Sequence, residues 1–259
     1  MDSAGTDGMA AFRAWLAVGL LTAMAVAGFG RAAAQDAQAV DLELVLAVDS
    51  SGSIDADELR LQRGGWADAI THPRVLGAIG SGRHGAIAVM FLEWAAVGCE
   101  TVAVDWMRIS DAASAQRFAN AVRDAAKLDC WGGNAIGDAV AFAARALHAN
   151  DIRGDRLVID VSGDGPNTLG RPVEIAREQA VAGGITINGL AILTGRAFGG
   201  PGGMPLDEYY RLAVIGGPGA FVLAVDKDTT FRQAVLAKLV REIAGHRHGD
   251  DAGPDSARR

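Results

Sequence analysis

The sequence predicts an α/β fold: a mostly parallel six-stranded sheet with one antiparallel edge strand and helices on both faces. Three observations carry this. Past residue 40, apolar runs of strand length alternate with helical patterns, the mark of a sheet covered on both sides. Only Glu93–Glu100 separates two of the runs, which is too short for a parallel crossover, so the second of them runs antiparallel at an edge. Two other runs break at carboxylate-bearing loops, one at Asp49 and one at Asp164, as strands do where they end in a ligand-binding crevice.

Strands are expected at 42–48, 86–92, 101–106, 156–161, 186–193 and 221–226. Leu42–Val48 is too short for an ordinary helix and ends in a Gly-Ser turn, so it reads as a buried parallel strand. Asp55 with Glu58 forms a capping box for a helix through Ile70, with Leu59, Trp66 and Ile70 on one face. Asp111 begins a second helix, marked by Phe118, Val122 and Ala126. Ile136, Val140, Ala143 and Leu147 mark a third. A fourth runs from Pro172, suited to a first turn, to the Gly183-Gly184 stop. Thr230 with Gln233 caps the last, where Phe231, Val235, Leu239 and Ile243 recur every four residues. Residues 195–203, with five glycines in nine, read as a mobile loop.

Ahead of these elements, Arg13 precedes an apolar stretch from Ala14 to Gly30, and Ala32-Ala33-Ala34 supplies small residues before Gln35. That order is the n-region, h-region and cleavage site of a secretory signal peptide. The expected organisation is a signal peptide over 1–34, a single domain over 38–246 and a disordered tail over 247–259. About 225 residues then remain, enough for one full hydrophobic core. No later run reaches membrane length, so the product is expected to be exported, periplasmic or secreted, with no stable membrane anchor after cleavage.

The formal charge is −7. Losing 1–34 leaves it unchanged, because Arg13 and Arg31 depart with Asp2 and Asp7. An acidic chain without a Lys/Arg run offers nucleic acid no electrostatic footprint, and it mildly favours cations. Cys99 and Cys130 are the only cysteines, and their spacing fits no zinc pattern. Both fall at one end of the expected sheet, and an exported protein permits their oxidation. A bridge would pin the loop before Asn134 and contribute about 3–4 kcal/mol in the chain-entropy model. The alternative is two free thiols.

The chemistry lies in three polar segments. Asp49-Ser50-Ser51-Gly52-Ser53 presents one carboxylate and hydroxyls at alternate positions beyond a strand. Asp160-Val161-Ser162-Gly163-Asp164-Gly165-Pro166-Asn167 breaks from strand to a carboxylate flanked by glycines. Gly132-Gly133-Asn134-Ala135-Ile136-Gly137 opens the helix that leads into that strand. Hard oxygen donors of this kind suit magnesium, calcium or manganese better than zinc or copper. The alternatives are a polar turn after the first strand and an ordinary N-cap at Asn134.

Taken in that order, the segments resemble a von Willebrand factor A-type domain over roughly 40–245. The resemblance is closest to an uncharacterised family of exported bacterial proteins, through Phe91-Leu92-Glu93-Trp94, the Asp160–Asn167 run, Tyr209-Tyr210 and Ile215–Phe221. It implies a three-layer Rossmann-like fold carrying a metal-ion-dependent adhesion site. The family's metal residues then map onto Asp49, Ser51, Ser53, Asn134 and Asp164, with Mg2+ the expected ion and Ca2+ or Mn2+ the alternatives. Asn134 departs from the family, which usually has threonine there. An amide oxygen is an acceptable hard ligand on a longer, planar side chain. It implies a direct ligand, a contact through water, or a helix cap that leaves four ligands.

Around the site, Asp160 is a candidate for orienting a ligand hydroxyl; its alternative is a buried ion pair or backbone cap. Glu93 and Trp94 are candidates for a rim that touches a partner; their alternative is hairpin packing. Tyr209 and Tyr210 read as helix packing, and His246-Arg247-His248 as part of the tail. The resulting function is a metal-dependent protein-binding module whose ion clasps an Asp or Glu of a partner, with no catalysis. Two rivals stand beside it. One is a magnesium-dependent phosphatase of the haloacid-dehalogenase type, but Ser51 occupies the position where such enzymes need a second aspartate. The other is a metal-free scaffold. No Gly-x-Ser-x-Gly elbow surrounds Ser162, because Asp160 stands at the first glycine's position.

Overall fold

The computed structural model describes residues 39–52, 56–126, 130, 132–193, 199–226 and 230–245. The segment 1–34, the tail 247–259, Ser53, Asp55, His246 and His248 lie outside the described residues. Six strands form one sheet: β1 Leu42–Asp49, β2 Ile87–Trp94, β3 Thr101–Ile109, β4 Leu157–Gly163, β5 Ile185–Ile192 and β6 Val222–Val225. Their order is β3-β2-β1-β4-β5-β6. β2 and β3 pair antiparallel, as the short connection requires, and the other pairings are parallel.

The helices are α1 Ala56–Ile70, α2 Pro73–Gly80, α3 Ala112–Asp124, α4 Ile136–Ala149, α5 Val173–Ala182, α6 Leu206–Tyr209 and α7 Phe231–Ala244. β1 is buried along its whole length, and its alternation sorts them. Leu42, Leu44, Leu46 and Val48 join a core with α1, α2, α3 and α7. Val45 and Ala47 join a second core with α4, α5 and α6. The result is three layers, helix on sheet on helix.

Thr230 and Gln233 form the expected capping box of α7, and Asp111 forms one with Ser114 for α3. One helix, α2, falls where the sequence pattern predicts none. Pro73 sits in its first turn and His72 Nδ1 accepts the Arg74 N–H at 3.1 Å, but eight residues are too few for periodicity to reveal. Within the glycine-rich segment, Pro201–Gly203 forms a turn of 3-10 helix.

Two groups of charges are buried under the α1–α3 and α7 layer. Arg63 of α1 forks onto Glu93 at the end of β2, with Nε 2.7 Å from Oε1 and Nη2 2.8 Å from Oε2. It also donates to the Ala125 and Ala126 carbonyls. Lys238 of α7 stands between Asp160 of β4 at 3.1 Å and Glu242 at 2.8 Å, all wholly or almost wholly buried. Asn188 Nδ2 donates to Glu242 at 3.0 Å. Two carboxylates thus share one ammonium. Burial and Glu242 raise Asp160 well above the usual carboxylate range against the pull of Lys238.

Removing Lys238 would leave those carboxylates facing each other without a cation. Lys238→Met is expected to lower the unfolding free energy by about 3–5 kcal/mol in urea denaturation. A loss under about 1 kcal/mol would show that the ammonium does not hold α7 to β4.

Candidate metal centre

After β1 the chain turns back to β2 on one side, and from β4 onward it builds the other half of the sheet. The carboxyl ends of β1 and β4 therefore flank the point where strand order reverses, the crevice position at which open α/β sheets bind ligands. Asp49 ends β1 inside that crevice, wholly buried. Its Oδ1 accepts the Ser51 N–H at 2.8 Å, and the Ser51 hydroxyl and the Asp164 backbone amide also bond to the carboxylate. Ser51 and Asp164 are buried as well.

Backbone bonds tie the neighbouring loops to this point. The Ser50 N–H donates to Trp94 O at 2.8 Å and the Ala135 N–H to Ala95 O at 2.9 Å. Cys99 and Cys130 are joined by a disulfide, Cα atoms 6.1 Å apart, which fixes the loop after β2 to the one that precedes α4. Asn134 is buried, and its amide packs on Gly165, where a Cβ would stand 2.3 Å from Nδ2. Asn134 does not cap α4. The N-cap is Ala135, and the side chain that serves the helix start is Asn167, whose Oδ1 accepts the Gly137 N–H at 2.9 Å. That leaves the Asn134 amide beside the Asp164 loop.

The electrostatics favour a cation. Burial and the nearby Asp164 carboxylate push the Asp49 pKa from 3.8 up to about 7, against hydrogen bonds from Ser51 and the Asp164 amide. Asp49 Oδ2 is buried with no hydrogen-bond partner. A buried carboxylate with an open oxygen, next to a second carboxylate and a serine hydroxyl, is a donor set that fits a hard divalent ion.

A family model described as a protein of unknown function, DUF1194, matches residues 39–247. The chain belongs to the DUF1194 family. No curated protein matches it. Among solved structures, the pilus adhesin SpaC from Lactobacillus rhamnosus GG superimposes with a TM-score of 0.55 at 14% identity, over 79% of this chain and 31% of the adhesin. Proximal thread matrix protein 1 from the mussel byssus gives 0.54 at 15% identity, over 79% of this chain and 47% of that one. A von Willebrand factor type A protein from Catenulispora acidiphila gives 0.50 at 18% identity, over 80% and 42%. This chain therefore matches less than half the length of each. At these identities the likeness is one of fold: the DUF1194 domain has the three-layer von Willebrand factor A architecture.

Within this DUF1194 domain the structure brings together Asp49, Ser51, Asn134 and Asp164; Ser53 lies outside the described residues. The other three sequence candidates are all buried. Asp160 faces α7 and is held by Lys238, so it orients no ligand hydroxyl. Glu93 is not a rim residue, because Arg63 takes both its oxygens. Trp94 is wholly buried under the crevice, with its ring against Gly163. Two loop residues expose apolar side chains: Val97 is 58% exposed and Leu169 44%. Leu169 packs against Gly133, and Val97 against Gly170. Asn167 and Thr168 hold the Asn134 segment and the start of α4, contacts that motif reading does not reveal. Thr168 Oγ1 accepts the Asn134 N–H at 2.9 Å, and Asn167 receives no helix-start signal because it caps a helix 30 residues away.

The Asp49 shift has a defined sign. Its folded pKa lies above its unfolded value, so between about pH 4 and 7 the native state binds the extra proton and the metal-free protein loses stability as pH rises. At roughly 1.4 kcal/mol for each pH unit between the two values, the whole effect is about 4 kcal/mol. Asp49→Asn is expected to remove this loss and to exceed the metal-free parent in stability above pH 7, measured by urea unfolding across pH 4–8. Parallel pH profiles for the two proteins would contradict the shift.

Proposed function

We propose that this DUF1194 protein is an exported, divalent-metal-dependent protein-binding module of the adhesion type. The observation that carries this is the buried carboxylate pair Asp49 and Asp164 at the sheet's reversal point, with an open oxygen on Asp49. Asp49, Ser51, Ser53, Asn134 and Asp164 would hold the ion. Mg2+ is favoured because every donor is oxygen, with Ca2+ and Mn2+ as the alternatives. A bound ion supplies one thing here: an open coordination position that a partner's Asp or Glu carboxylate fills.

The chain's own residues support such a clasp. Val97 and Leu169 place exposed apolar surface beside the crevice, suited to the flanks of an acidic side chain. The disulfide holds the Asn134 loop against the end of β2. Binding rather than turnover fits the placement of histidines. Among the described residues, His72 and His148 stand at the far ends of α1 and α4, and His84 precedes β2, all away from the crevice. Export is supported by the signal pattern over 1–34 and the disulfide. Among the described residues, no helix is long and apolar enough to cross a membrane.

Calorimetric titration with Mg2+, Ca2+ and Mn2+ tests the site. One ion per chain is expected, abolished by Asp49→Ala and unaffected by His84→Ala. The second substitution matters because Asp41, His84 and Asp155 also bring ligand atoms within 4.8 Å of one another. Binding that survives Asp49→Ala and disappears with His84→Ala would move the ion to that group and contradict the proposal.

A further inference from the structure

Beneath Asp49 lies a residue that the clasp has not yet used. Tyr210 opens the π-helical turn Tyr210–Val214 that continues α6, an irregularity that in helices frequently marks a functional position. Its side chain is wholly buried, yet its hydroxyl has no hydrogen-bond partner. If packing were its only task, phenylalanine would fill the space without burying a polar group.

Two glycines on neighbouring strands clear the path of the ring. A Cβ on Gly189 of β5 would stand 2.9 Å from Tyr210 Cδ1. A Cβ on Gly163 of β4 would stand 2.7 Å from the Tyr210 hydroxyl and 3.0 Å from Asp49 Oδ2. A glycine inside a strand often marks such a close approach. The ring therefore crosses β5 and delivers its hydroxyl to the same side of Gly163 as the unpartnered Asp49 oxygen. A phenol hydroxyl is a hydrogen-bond donor, and the carboxylate oxygen beside it is an acceptor.

Resting on the metal-site reading above, we propose that Tyr210 is a positioning residue whose hydroxyl donates to Asp49 Oδ2 across one water and fixes the carboxylate for the ion. A carboxylate oxygen has more than one lone pair, so this bond and metal ligation are compatible. Hydrogen-bonding partners of metal ligands typically change affinity by about 10–100-fold when removed.

Tyr209 and Tyr210 are the only tyrosines, so labelling tyrosine Cζ with carbon-13 gives two resonances. The one that remains in Tyr209→Phe belongs to Tyr210. Saturation with Mg2+ is expected to shift that resonance. Tyr210→Phe is expected to bind Mg2+ about tenfold or more weakly, with the metal-free unfolding midpoint close to the parent's. If the parent binds Mg2+ while the Tyr210 resonance stays still and Tyr210→Phe binds within about twofold of it, the role of Tyr210 is overturned and the metal site stands. A parent that binds no Mg2+ overturns the metal site, and this inference with it. Should Tyr210→Phe fail to fold, the resonance in the parent decides.

Discussion

Two carboxylates held out of water at one end of the sheet set the terms for the rest of this protein. Asp49 ends β1 and Asp164 follows β4, and the parallel pairing of those strands forces both to the same edge. Burial and mutual repulsion push Asp49 up to about 7, an arrangement that costs stability in the metal-free chain. The surrounding loops are tied down accordingly, by backbone bonds from Ser50 and Ala135 and by the Cys99–Cys130 bridge.

The other buried acids show how this protein treats a carboxylate meant only for structure. Glu93 has both oxygens taken by Arg63. Asp160 and Glu242 share Lys238, with Asn188 donating to Glu242. In both of these a cation from a packed helix compensates the charge, whereas buried Glu43 is held by neutral donors, the Asn150 amide and the Gly154 N–H. What acts on Asp49 is a second carboxylate, Asp164, together with hydrogen bonds from Ser51 and the Asp164 amide rather than a cation.

The sheet and most helices were legible because their periods are local. Leu42–Val48 is apolar enough to be a central strand, and the short Glu93–Glu100 connection dictates the antiparallel edge. That Asp49, Ser51 and Asp164 come together was legible because both strands end in polar loops on the same side of a parallel sheet. What escaped was tertiary. Glu93 looks like an exposed rim residue until Arg63, 30 positions away, reaches it. Asp160 looks like a site residue until α7 brings Lys238 across the sheet. Asn134 looks like a helix cap, but Asn167 does that work from another loop. The path of Tyr210 over Gly189 and Gly163 leaves no mark in sequence beyond two strand glycines.

The proposed divalent ion lies between the ends of β1 and β4. Crystals grown with Mn2+ and measured at its absorption edge give an anomalous difference map that locates the ion without reference to activity. A single strong peak within ligand distance of the Asp49, Ser51 and Asp164 oxygens is the predicted result. A peak at Asp41, His84 and Asp155 alone, or none at saturating Mn2+, would contradict it.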